Sequence, residues 1–135
     1  MPTIIGWSRP VWVRRINGAG STLLRGEAVV EAGGGTVVRA THANTGAKHV
    51  LGVMAEDVAN GVSGVVYLFG DVRVRVTALP AVGDRMFLSA TAGLMAATLG
   101  STDPVVEVGT VTSTAMYTPE SPLVTCFVHK MPRTG

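Results

Sequence analysis

The residues able to do chemistry in this 135-residue chain are few and scattered. Hydrolysis by paired carboxylates needs two acids facing each other across a cleft, and a nucleophile needs a base that orients it. Among the acidic residues only Glu56 and Asp57 are adjacent, and neighbours on an extended chain point to opposite faces. Cys126 and His129 have the spacing of half a metal site, but two ligands do not make one. Within the apolar segment "LVTCFVH" the thiol is expected to be buried and inert. His42 and His49 flank a polar, turn-rich segment and lack a clustered carboxylate or thiol, so they read as solvated loop residues. Lys48 and Lys130 are the only lysines, and neither sits at a convincing hairpin tip, where a carrier domain is modified. No glycine motif stands between strand and helix with a lysine to cradle phosphate. The expectation is a protein that is not an enzyme, with no metal and no cofactor.

Recognition chemistry is more evident than catalytic chemistry. Trp7 and Trp12 lie together in the first 25 residues with Arg9, Arg14, Arg15 and Arg25. Tryptophan and arginine dominate interface hot spots because they bury area while keeping a polar handle. Pro10 forbids a regular helix through this segment and pushes the residue before it toward extended geometry. Two readings follow for residues 1–25. One is a first strand, Val11 to Ile16, with Trp12 in the core. The other is an extended arm anchored on another protein. Further along, Val72-Arg73-Val74-Arg75-Val76 alternates with period two, placing Arg73 and Arg75 on one face. That face is either solvated or meets acids such as Glu56 or Asp57 of a neighbour.

The elements that must hold these residues read as β throughout. Glycine is 17 of 135 residues, well above the usual level of about 7%, and valine and threonine are abundant. Stiff β-branched side chains punctuated by glycine favour short strands and tight turns. Glu27 to Ala40 gives two runs around Gly33-Gly34-Gly35, a hairpin or tight corner. Val50 to Ala55 is a short strand interrupted by Gly52, and Asn60-Gly61 is a turn. Gly64 to Phe69 is a continuous apolar run, expected to be covered on both faces, and Gly70-Asp71 bends the chain before Val72 to Val76. Arg85 to Ala90, Leu94 to Leu99, Val105 to Thr114 and Leu123 to His129 supply the remaining runs. Gly109 marks a bulge or a close approach. The expected fold is all-β, a small barrel or sandwich of about eight to ten short strands, with an N-terminal arm or first strand over 1–25 and one β-domain over 26–135.

Composition narrows the function further. A formal charge of +2 with only 15% charged residues is not the footprint of a nucleic-acid binder. No apolar run reaches the ~18 residues of a membrane-spanning helix, and no signal peptide is legible at the N-terminus. A single cysteine rules out an intrachain disulfide. The apolar balance therefore implies a sizeable core, or apolar surface buried against partners.

Three stretches carry a likeness: "GVMAEDVANGVSGVVYLFGDVRVRV", then "AVGDRMFLSATAGLM", then "VVEVGTVTS". In glycine placement and apolar runs, residues 26–113 resemble the capsid-cement, or head-decoration, proteins of tailed bacteriophages. Trp7 and Trp12 are not part of that pattern. The resemblance implies a non-enzymatic virion protein, made in the host bacterial cytoplasm, that sits on the outer surface of the capsid. It implies the major capsid protein as partner, a homo-oligomer, most often a trimer, and no role for nucleic acid or membrane. The candidate contact residues are then Trp7, Arg9, Trp12, Arg14, Arg15, Arg73 and Arg75. A β-structured tail, fibre or baseplate module binding protein or carbohydrate is the alternative.

Overall fold

In a computed structural model, residues 11–41, 50–99 and 106–128 are described. They form β1 (Val11–Asn17), β2 (Ala28–Gly33), β3 (Thr36–Arg39), β4 (Gly52–Met54), β5 (Ser63–Arg75), β6 (Arg85–Leu88), β7 (Met95–Ala96), β8 (Glu107–Ser113) and β9 (Leu123–Val128). The fold is all-β, as composition predicts.

The first half closes on itself. β2 and β3 form the expected antiparallel hairpin through the triple glycine, β4 pairs with β2, and β5 pairs with β4. β1 then completes the ring, antiparallel to β5 and parallel to β3 at Ile16 and Asn17. Asn17 fastens the end of this closure. It is buried, its Nδ2 donates to the carbonyls of Ser21 and Val58, both at 2.8 Å, and its Oδ1 accepts from Ala19 N at 2.7 Å. The interior is filled by Leu23, Val29, Val37, Met54, Val58 and Val66.

The second half continues from the same strand. β5 pairs with β9, β9 with β8, β8 with β6 and β6 with β7, all antiparallel. A parallel bridge from Met95 to Val76 returns β7 to the end of β5. A second core lies beneath this sheet, with Val72, Val74, Met86, Leu88, Met95, Val111, Val124 and Cys126. Ala28, Val30 and Val53 join it from the outer side of the ring. The two halves thus share β5 and pack wall to wall.

β5 differs from the expectation of two strands. It runs unbroken for 13 residues, about 40 Å at 3.3 Å per residue. Gly70 does carry the anticipated distortion, with φ at 116°, a value that favours glycine. The chain stays in a ladder because partners change there: Phe69 is the last residue paired with β1, and Gly70 the first paired with β9. Val72 and Val74 are buried while Arg73 is exposed, so the alternation holds. The run before Gly70 is not covered on both faces, since Val65, Tyr67 and Phe69 are only half-buried.

Gly52 shows why a glycine interrupts an apolar strand. A Cβ there would lie 2.1 Å from the Tyr67 carbonyl oxygen on β5, so the strands can approach only if position 52 has no side chain. Gly109 fulfils both parts of its expectation. It packs against Phe127 and Cys126 on β9, and the register slips opposite it, between Met86 and Phe87. Leu94 to Leu99 yields only the two-residue β7, the rest being turn and irregular chain.

Candidate interaction surface

β1 is built by alternation. Val13 packs against the ring core and Asn17 is buried, so Trp12, Arg14 and Ile16 face outward. Across the ladder Trp12 pairs with Tyr67, Arg14 with Val65 and Ile16 with Ser63. Trp12 is 54% exposed and Ile16 40%, and Val62, beside the end of β1, is 51% exposed. This corrects the expectation of Trp12 as a core residue. The strand Val11 to Ile16 exists, but its register puts Val13 inside and the indole outside. Residues 11–17 belong to the closed ring and are not a free arm.

The two adjacent arginines of β1 behave differently. Arg15 Nε and Nη2 donate to Glu31 Oε2 at 3.0 and 2.9 Å, and its Nη1 donates to the Arg14 carbonyl at 2.9 Å. The bond to Glu31 holds the Arg15 pKa above its ordinary value. Arg14 is exposed and its guanidinium has no hydrogen bond or ion pair among the described residues. Sequence reasoning placed both among the candidate contact residues; the fold has already committed Arg15 internally.

Arg73 and Arg75 share one face of β5 but sit in different company. Arg75 Nε donates to the Arg25 carbonyl at 3.1 Å. Arg73 lines an open cleft of about 200 Å³ with Arg25, Ala55, Tyr67 and Asp71. The Glu56 and Asp57 carboxylates are occupied by backbone donors. Glu56 Oε2 accepts from Val65 N at 3.1 Å, and Asp57 Oδ1 from Arg25 N at 2.8 Å. They serve as turn fasteners within the chain. Trp7, Arg9, His42, Lys48, His49, His129 and Lys130 lie outside the described residues.

Cys126 is fully buried, and burial, with Asp71 adding to it, pushes the thiol up to about 12. A thiol so far from ionisation is a poor nucleophile and a poor metal ligand. Among the described residues no group of three or more His, Cys, Asp or Glu side chains could hold a metal ion, and no helix is long and apolar enough to cross a membrane.

One polar node escaped sequence reasoning. Glu27 is buried and accepts from Leu24 N at 2.8 Å and from Arg39 Nε at 3.0 Å to each oxygen. Arg39 Nη1 donates to Ser21 Oγ at 2.8 Å, and Nη2 to the Thr22 carbonyl. The pair ties the segment after β1 to β3. The spacing of Glu27 and Arg39 on two short runs joined by a hairpin was the available signal, since a hairpin brings its two ends together.

No family model matches the chain, and no curated protein matches it. Among solved structures, the chain is similar to the N base of the head fibre protein gp8.5 of bacteriophage phi29. The TM-score is 0.61 at 15% sequence identity, covering 94% of this chain and 100% of that one. At that identity the likeness is one of fold.

Proposed function

We propose that this chain is a structural virion protein of a tailed bacteriophage that binds the outer surface of the head and stabilises the shell. The observation that carries this is the fold shared, over nearly its whole length, with the base of a phage head fibre. The resemblance of residues 26–113 to head-decoration proteins points the same way, and it reaches the phage head independently of the fold comparison. The physical character of the chain supports the reading. Two small cores sharing the long strand β5 make a stiff module, and exposed apolar and cationic side chains sit on its outside. Contacts of modest strength suffice for a decorating protein, because an oligomer that engages several capsid subunits at once gains through effective concentration. The form implied is a homotrimer with the major capsid protein as partner, with neither catalysis nor nucleic-acid binding.

Mixing the purified protein with undecorated shells and with isolated tails, then imaging both, tests the reading. Regular density on the outer surface of the shells is the expected result. Density on tails alone would favour the fibre or baseplate alternative, and a glycan array would then probe carbohydrate binding.

A further inference from the structure

The outer wall of the first ring is apolar but only partly covered. On β2 and β4 the side chains of Ala28, Val30 and Val53 are buried in the second core, and Tyr67 on β5 packs against its edge. Past Tyr67 the same wall continues onto β1, where Trp12 and Ile16 stand exposed with Val62 beside them. Arg14 lies between Trp12 and Ile16 on this face, and among the described residues its guanidinium has no partner, while that of Arg15 is engaged by Glu31.

We propose that Trp12, Arg14, Ile16 and Val62 form the docking face for an apolar protein surface carrying one Asp or Glu side chain, whose carboxylate seats on Arg14. The proposal rests on the reading of the chain as a capsid-binding protein and names the face and the partner chemistry. An uncovered aromatic and aliphatic stripe gains by burial against another apolar surface. Burying it also desolvates Arg14, and an unpaired guanidinium in an apolar contact is costly, so the partner must bring an anion. A carboxylate accepts two parallel N–H bonds from a guanidinium, which fixes register as well as charge. Arg73 lacks this setting, because its cleft already contains Asp71.

The test uses the full chain and undecorated shells as the probe, in a co-sedimentation titration of wild type, Trp12→Ala, Arg14→Glu, Arg14→Lys and Arg73→Glu. Trp12→Ala and Arg14→Glu are expected to weaken shell binding at least 30-fold, about the loss that marks a hot spot. Arg14→Lys keeps the charge and recovers part of the loss, and Arg73→Glu changes binding less than about 3-fold. All three substituted side chains are exposed, so urea midpoints should stay at the wild-type value. If wild type binds shells and Trp12→Ala and Arg14→Glu bind equally well, the docking face is wrong while the capsid reading stands. If wild type itself does not bind shells, the capsid reading fails and the proposal with it. If wild type self-associates in sedimentation velocity and these two variants are dissociated, the face belongs to a second copy and the proposal is overturned.

Discussion

Arg39 Nε donates to both carboxylate oxygens of Glu27, each at 3.0 Å, across a side chain of Glu27 that is only 7% exposed. Around this contact the chain is held at three further points. Leu24 N donates to Glu27, Arg39 reaches Ser21, and Gly93 packs against the carboxylate with its own N–H on the Ala40 carbonyl at 2.9 Å. The node therefore joins the segment before β2, the end of β3 and the turn before β7.

Removing Arg39 strips the buried Glu27 carboxylate of the Nε donor shared by both its oxygens, and removing Glu27 takes that same contact from Arg39. Glu27→Ala and Arg39→Ala should each destabilise the fold by about 2–3 kcal/mol, below the 3–5 kcal/mol of fully buried pairs because Arg39 keeps some solvent contact. The double variant should cost less than the sum of the two. Urea denaturation of the four proteins checks both statements through the non-additivity.

The Arg15–Glu31 pair should behave otherwise. Its side chains are 28% and 42% exposed, and pairs of that kind contribute about 0–1 kcal/mol. Glu31→Gln should shift the urea midpoint only slightly, and the shift should shrink further in 1 M salt. A loss comparable to that of Glu27→Ala would mean that the pair is a structural element of the ring.

Two glycines separate the demand for space from the demand for backbone conformation. At Gly52 a methyl group would collide with the Tyr67 carbonyl, which belongs to a paired strand and cannot turn away. At Gly61 there is open space, but φ is 83°. Gly61→Ala should cost about 1–2 kcal/mol from the left-handed backbone alone. Gly52→Ala should cost more, because β4 must separate from β5. Thermal unfolding of the two variants side by side gives the order.

Cys126 makes stability fall at alkaline pH. Its thiol titrates near 9.0 in the unfolded chain and is pushed up to about 12 in the fold. Below pH 9 both states hold the proton and the group is silent. Above pH 9 the unfolded state loses the proton first, so stability should decline by about 1.4 kcal/mol per pH unit until the folded thiol ionises near 12. Cys126→Ala lowers stability below pH 9 by leaving a cavity, but it should flatten this slope. Urea midpoints at pH 8, 9 and 10 for both proteins decide it; equal slopes would contradict the buried neutral thiol.

Much of the β pattern was legible in the sequence because it is local. The triple glycine between valine pairs specified the β2–β3 hairpin, the alternation of Val72 to Val76 specified which side chains are buried, and Gly109 announced its close approach to β9. Tertiary structure decided what depends on pairing between distant segments. Whether Gly70 ends a strand or only exchanges its partners depended on β9 arriving beside it. Whether Trp12 faces the core depended on register, since one residue of slip on β1 would exchange Trp12 and Val13 between outside and inside. Arg14 and Arg15, neighbours of identical chemistry, were separated only when the hairpin brought Glu31 to one of them. Periodicity thus established that the chain is a β-module, and ring closure established which arginines and aromatics among the described residues lie on its surface.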